Sequence, residues 1–115
     1  MANITAKPLT EPTVLTTSAA IMYTCPTATR TTIKKLMLNN TAATTQTVTV
    51  YWVPSAGTPV AGNTQISLAP IATNGSLEGY SLENQTLAPG DTIQALCSAA
   101  TSVNFAMSGV EVLIS

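Results

Sequence analysis

The stretch TVTVYWVP, residues 47 to 54, decides the fold class of this 115-residue chain. Val48, Val50 and Trp52 alternate with Thr or Tyr, which is the two-residue period of a strand with one buried face. Pro54 then ends the strand because proline has no N–H to give to a sheet. The stretch therefore predicts a half-buried β-strand, with the two valines and Trp52 turned towards a core that also holds Ile93 and Phe105.

Short runs rich in β-branched residues recur on both sides of this strand, at spacings of about 8 to 12 residues, with Gly, Pro and Asn between them. Helical periodicity is not maintained over any window of a dozen residues without a breaker. We therefore predict an all-β fold, an antiparallel β-sandwich of jelly-roll type with seven or eight strands. The runs that predict strands lie at 19–25, 32–39, 47–54, 64–71, 76–83, 91–98 and 102–114.

Two connections carry turn signals. NTAATTQ (40 to 46) is polar and lies between two strand patterns, so it predicts a hairpin. APGD (88 to 91) predicts a type II turn in which Gly90 takes a positive φ, and the carboxylate of Asp91 caps nearby N–H groups.

The last strand changes its pattern at Gly109. Apolar residues are odd-numbered from Val103 to Met107 and even-numbered from Val110 onwards. One extra residue in a β-bulge produces such a change, so we expect a bulge at Gly109. Glu111 would then face solvent or a partner.

The first dozen residues, MANITAKPLTEP, contain two prolines and little apolar periodicity. We expect them to form an N-terminal arm (1–12) outside a single sandwich domain (13–115). The loop SAGTPVAGN (55 to 63) is long for a connection between strands, and its length has no structural explanation.

Charge and hydropathy argue against two classes of partner. Only 8% of the residues are charged and the net charge is −1, so the four cations form no stripe for a phosphate backbone. No apolar run reaches the roughly 18 residues of a membrane span. We expect neither nucleic acid nor a membrane as partner. Lys34 and Lys35 fall on opposite faces of one strand and favour a charged, protected edge.

Catalysis has few candidate groups. The chain has no His, which excludes Ser-His-Asp triads and His-metal sites. Glu78 and Glu83 differ in parity on one predicted strand, so they would not form a carboxylate pair. We expect no enzymatic activity, no metal and no cofactor. The carboxylates considered are Glu11, Glu78, Glu83, Asp91 and Glu111.

Cys25 and Cys97 lie 72 positions apart, without the short spacing of a redox or zinc pair. Two buried thiols acting as small apolar side chains are favoured. A disulfide between two strands and a reactive thiol are the alternatives.

A carbohydrate-binding module is the alternative from another functional class, since sandwiches often carry such sites. It needs exposed aromatic platforms. Trp52 shares its parity with core valines, which leaves Tyr51 and Tyr80 as candidates.

The segment from 32 to 112 resembles a group of small β-sandwich virion proteins of tailed bacteriophages. The hairpin NNTAATTQTVTVYWVP, the glycine-containing loop after it, the turn LAPGDTIQA and the closing SGVEV carry the resemblance. It implies a non-enzymatic structural protein of a phage particle that decorates and stabilises the capsid as a cement protein. A tail, neck or baseplate component is the alternative within that group.

The resemblance also accounts for the low charge, because repeated interfaces bury short apolar and Thr side chains at little entropic cost. It implies a virion location after assembly in the host cytoplasm. The expected partners are copies of the chain itself, as a dimer or trimer, and a major capsid protein or tail protein. The arm and the long loop supply the expected contact residues, which are Ile4, Lys7, Pro8, Leu9, Pro59 and Val60.

Overall fold

The computed structural model describes residues 3–78, 82–99 and 102–113, and these ranges contain nine strands and one short 3₁₀ turn. Five strands form one sheet and four form the other. The strands are β1 (Asn3–Val14), β2 (Ala20–Thr24), β3 (Thr29–Asn40), β4 (Gln46–Val53), β5 (Thr64–Ile71), β6 (Ser76–Glu78), β7 (Thr86–Leu87), β8 (Thr92–Cys97) and β9 (Val103–Leu113). The 3₁₀ turn covers Ala61–Asn63 between β4 and β5.

The strand pairing is nested. The five-stranded sheet has the order β1-β9-β3-β6 with β7 also on β3, and the four-stranded sheet has the order β2-β8-β4-β5. The first strand thus pairs with the ninth, the second with the eighth and the fourth with the fifth, all antiparallel. A long ribbon wound around two sheets in this way is a jelly roll. The fold class predicted from the sequence is confirmed, with nine strands in the described residues where seven or eight were expected.

The core lies between the two sheets. Val48, Val50, Ile93 and Phe105 have no exposed surface, and Trp52 packs against them while half-buried. The predicted core is therefore confirmed for these four residues, whereas Trp52 lies at its margin. Each fully buried side chain of this size contributes roughly 1.5 to 3 kcal/mol through the area it removes from water.

The hairpin predicted at residues 40–46 is wrong, because β3 and β4 lie in different sheets. Asn40 explains the crossing. Its buried side-chain N–H groups donate to the carbonyls of Thr44 and Ile71, and its Oδ1 accepts from the N–H of Ala42. This amide fixes the connection in a path from one sheet to the other.

The N-terminal arm is also different from the prediction. Over its described part it is strand β1, paired with β9 from Asn3 to Val14, so the expected boundary at residue 12 falls inside a strand. Leu9 belongs to the core and Thr10 donates its hydroxyl to the Met22 carbonyl. The prolines misled the interpretation, since an edge strand accepts proline where its missing N–H would face outwards.

The bulge expected in β9 lies instead in both of its neighbours. Opposite Ser108 and Gly109, β3 carries the extra residue Lys34. Opposite Met107 and Ser108, β1 carries the extra residue Leu9. The inward parity of β9 therefore does not change, and Glu111 continues the inward-facing row. The prediction that Glu111 faces solvent or a partner is wrong.

The APGD turn is as predicted. Gly90 has φ +88°, and the N–H of Ala88 donates to Asp91 Oδ2 over 3.0 Å. Of the strand predicted at 76–83, the structure shows β6 up to Glu78, and residues 79–81 lie outside the described ranges. In the described chain, no helix has the length and apolarity that crossing a membrane requires.

Candidate assembly surface

The outward face of the five-stranded sheet carries a row of apolar side chains along β1 and β9. Register places Ile4 beside Val112 and Ala6 beside Val110, all with the parity that points away from the core. Ile4 is 73% exposed, the largest exposure among the large apolar side chains of the described residues. We call this row the outer strip, and it consists of Ile4, Ala6, Pro8, Ala106, Val110 and Val112.

A shallow groove of about 170 Å³ continues the outer strip towards β3. Small-molecule sites usually enclose about 300 to 1,000 Å³, so this groove fits a side chain of a partner better than a free ligand. The residues that line it are Pro8, Thr10, Pro12, Lys35, Met37, Ala106, Met107 and Ser108.

The structure separates the six predicted contact residues into four environments. Ile4 and Pro8 lie on the outer strip, while Leu9 is 9% exposed and packs in the core. Lys7 pairs with Glu111 at 3.4 Å.

Pro59 and Val60 precede the 3₁₀ turn in the loop between β4 and β5, on the opposite side of the sandwich from β1. Val60 is 53% exposed and Pro59 is half-buried. The structure therefore does not bring the loop and β1 into one surface.

Sequence reasoning missed Val110 and Val112, because the alternation was interpreted as a change of buried parity. If the odd-numbered residues of β9 stay buried along the whole strand, Glu111 points between the sheets. Hydrophobic patterning disfavours a carboxylate in that position. Ala6 and Ala106 gave no signal, since alanine is common on both sides of a sheet.

A polar cluster explains why Glu111 is tolerated between the sheets. The Tyr23 hydroxyl donates to Glu111 Oε2 at 2.5 Å and lies 2.7 Å from the hydroxyl of Thr31. Burial of Tyr23, followed by its hydrogen bond to Glu111, raises the pKa of the phenol far above its ordinary value. With Lys7 on the other carboxylate oxygen, the cluster joins β1, β2, β3 and β9.

The remaining carboxylates are dispersed. Glu78 forms an ion pair with Lys35 across β3 and β6. Glu83 lies in the turn before β7 rather than on one strand with Glu78, and Glu11 is exposed on β1. Within the described ranges, no three residues of the His, Cys, Asp and Glu types are grouped as metal ligands would be.

Asp91 acts in a structural role. Its two carboxylate oxygens accept hydrogen bonds from the indole N–H of Trp52 at 3.1 Å and from the backbone N–H groups of Ser55 and Ala88. The turn role predicted from APGD is confirmed, and the indole contact adds an anchor that the sequence did not indicate.

Both cysteines are buried thiols, each about 1% exposed, and no disulfide joins them. The Cys25 N–H donates to the Asp91 carbonyl at the start of β8, and Cys97 ends that strand six residues later, about 20 Å away. Burial raises the pKa of the Cys25 thiol. The favoured sequence interpretation is confirmed, and the disulfide alternative is wrong.

The aromatic side chains do not form a sugar platform in the part of the chain that is described. Tyr23 and Phe105 are buried, and Tyr51 and Trp52 are half-buried on neighbouring positions of β4. Tyr80, the other candidate, lies outside the described residues.

No protein-family model and no curated protein sequence matches the chain. Among solved structures, a subunit from Bacillus endospore appendages, described as a novel family of disulfide-linked pili, has a similar fold. The TM-score is 0.61 at 19% identity, over 100% of this chain and 92% of that chain. At this identity the likeness shows the fold.

Two structures of infectious bursal disease virus give weaker matches. A chain of its T13 particle has a TM-score of 0.48 at 11% identity, over 98% of this chain and 31% of that chain. The VP2 subviral particle gives 0.47 at 12% identity, over 98% and 33%. This chain spans about a third of those viral chains.

Proposed function

We propose that this protein is a non-enzymatic structural subunit that enters a larger protein particle in many copies. The observation that carries the proposal is the outer strip, an apolar row on an outward sheet face that extends to an edge strand. Contiguous exposed apolar surface of this kind marks contact sites between proteins. The low charge of the chain supports the same role, because the cores of interfaces are depleted of charged residues.

In its finer form, the proposal is a decoration protein that stabilises the capsid of a tailed bacteriophage, with the outer strip on the major capsid protein. The sequence resemblance of residues 32–112 supports this form. A tail, neck or baseplate position rests on the same resemblance. Electron microscopy of particles that contain the chain separates the two, since hundreds of copies on the head indicate decoration and six or twelve copies indicate the tail.

A pilus subunit is a second candidate, favoured by the whole-length likeness to the endospore appendage subunit. Negative-stain microscopy of the purified chain tests it, because a pilus subunit forms fibres from its own copies and a decoration protein needs a shell. The endospore appendages are described as disulfide-linked pili. In the folded state this chain cannot form such links between subunits, because both of its thiols are buried. Either assembly would be held by noncovalent contacts.

The role of the outer strip is tested with Ile4→Glu, using Ile21→Glu as the matched control. Ile21 is 59% exposed on β2, in the other sheet, so both substitutions place a carboxylate on an exposed isoleucine. We expect Ile4→Glu to reduce incorporation into particles or fibres at least tenfold and Ile21→Glu to leave it unchanged. Equal incorporation of the two variants would contradict the proposal.

A further inference from the structure

The sheet edges of the described chain are not equally protected. The β5 edge contains an irregular register, Leu68 at φ +47°, and Pro70. The β2 edge is five residues long and its Met22 carbonyl is covered by the Thr10 hydroxyl. On the remaining side β6 and β7 are short, and they flank the bulge at Lys34. Short strands, bulges, prolines and lysines are the devices that prevent unwanted strand pairing.

The N-terminal half of β1 has few of these features. From Asn3 to Pro8 its register with β9 is regular, and within the described ranges no strand pairs with its outward edge. Lys7, its one charged residue, pairs with Glu111 of its own sheet. A regular, exposed edge of this kind is a template for another strand.

The position of Pro8 indicates which backbone groups face that edge. In an antiparallel strand, successive residues direct their N–H and C=O groups alternately to one side and the other. Proline fits where an N–H would face outwards, so the position of Pro8 is an outward one. Counting back in steps of two, Ile4 and Ala6 also present their N–H and C=O groups to the open edge.

We propose that this edge pairs with the same edge of a second copy of the chain, antiparallel and centred on Thr5. In this register Ile4 lies opposite Ala6 of the second copy, and each such pair exchanges two backbone hydrogen bonds. An antiparallel pair of identical strands is related by a two-fold axis and closes as a dimer. The inference deepens the proposed function, and rests on it, by naming the contact between subunits.

Charge and side-chain size favour a second copy as the occupant. The register places Lys7 opposite the neutral Asn3, so the two lysines do not face each other. It also sets each Ile4 beside the small Ala6, on the same outward face. The two outer strips then lie side by side and join into one apolar surface of twice the width, which is the surface that we assign to the particle.

Engineered cysteines test the register. Opposed Thr5 residues form a pair without mutual hydrogen bonds, with Cα atoms about 4.5 Å apart, within the range that a disulfide spans. The two Ile4 residues are not opposite each other but diagonal neighbours, two residues apart along the paired strands. Their Cα atoms are about 8 Å apart, which is too far for a disulfide. Under oxidised glutathione, we expect Thr5→Cys to form a disulfide-linked dimer. We expect Ile4→Cys to form at least tenfold less of this dimer. The reverse order would overturn the register.

Ala6→Pro tests the pairing itself. The substitution removes an N–H that faces outwards, as at Pro8, and so leaves the ladder to β9 intact, which circular dichroism checks. We expect the dissociation constant of the dimer, measured by sedimentation equilibrium, to rise at least about tenfold. Leu68→Ala is the control, because it removes a side chain that is 65% exposed on a protected edge and should leave the constant unchanged.

The outcomes separate this inference from the proposed function. If the wild type and Ala6→Pro associate equally well, the β1 pairing is overturned, whereas the proposal that the chain self-assembles is not. A chain that stays monomeric at every concentration and never enters a particle would overturn both. Loss of association in Ala6→Pro alone, together with the Thr5→Cys cross-link, would support the pairing.

Discussion

Glu111 is held between the sheets by partners that come from two other strands, β1 and β2. Lys7 balances its charge on one oxygen, and the Tyr23 hydroxyl donates to the other. A buried carboxylate without such partners would cost several kcal/mol, so the position is permitted only because the nested pairing brings β1 and β2 to the same end of the sandwich. The side chain and the topology therefore depend on each other.

The raised pKa of Tyr23 predicts a loss of stability at alkaline pH. In the unfolded chain the phenol ionises near its ordinary value of 10, whereas in the folded protein it stays protonated at higher pH. The stabilisation from Tyr23 is therefore complete below about pH 10 and declines as the pH rises through the range above it. Urea unfolding between pH 8 and about 11.5 measures this.

Tyr23→Phe is the matching variant. It should lower the unfolding free energy at pH 8 by about 1 to 3 kcal/mol, because Glu111 and Thr31 lose a buried partner. Above pH 10, the unfolding free energy of Tyr23→Phe should fall less steeply with pH than that of the wild type. Parallel curves for the two proteins would contradict the assignment.

Gly109 is required by the close approach of three strands. A Cβ at this position would meet the Thr32 carbonyl oxygen, and it would lie 2.9 Å from Leu9 Cδ1. The carbonyl belongs to the backbone of β3 and cannot rotate away. Gly109→Ala should therefore destabilise the fold by about 1 to 3 kcal/mol or more, as measured by denaturant unfolding.

Gly62→Ala provides the control, since no atom lies within 4 Å of the Cβ that it would add. We expect its unfolding free energy to stay within about 0.5 kcal/mol of the wild type. Similar losses in the two variants would mean that loss of glycine in general, rather than the contact with β3, sets the cost.

At the scale of elements, β1 shows both what the sequence predicts and what it does not. Sequence patterning identified seven of the nine described strands, all except β1 and the two-residue β7, because the runs rich in β-branched residues mark them. The two prolines of β1 obscured the same signal, and only Leu9 and Thr10 enter the interior. Partner choice was not predictable either, since the hydrogen bonds of Asn40 decide that β3 and β4 separate.

The outer strip was less predictable than the fold for a physical reason. Its residues are apolar on a face that solvent reaches, so hydrophobic patterning assigns them to the core. Val110 and Val112 were assigned to the buried face on that reasoning. Ile4 and Pro8 were identified only because the segment had no other role.

The placement of β1 predicts that its two faces respond differently to truncation. Leu9→Ala removes a side chain that is packed in the core and should cost about 2 to 5 kcal/mol. Ile4→Ala should change the stability of the monomer by less than about 0.5 kcal/mol, because Ile4 is largely exposed. Thermal unfolding at low protein concentration measures both. Equal effects would mean that β1 does not pack as one edge of the sandwich.

At the scale of the whole molecule, the jelly roll buries both thiols and keeps them away from the outer strip. Cys25 donates to the Thr29 carbonyl and Cys97 to the Ala99 carbonyl, and neither side chain reaches the outer strip. The raised pKa of Cys25 keeps that thiol protonated at neutral pH, which lowers its reactivity further. The proposed assembly through β1 and the outer strip would therefore leave both thiols reduced and buried.

This arrangement predicts that the assembled form is insensitive to reducing agents. Particles or fibres that contain the chain should keep their sedimentation behaviour in excess dithiothreitol. In the native protein a thiol reagent such as dithionitrobenzoate should react slowly, and it should titrate both cysteines once guanidinium unfolds the chain. The Thr5→Cys dimer is the positive control, because its engineered disulfide must break under the same reductant. Dispersal of the wild-type assembly by dithiothreitol would show that the thiols become exposed on assembly and form links between subunits.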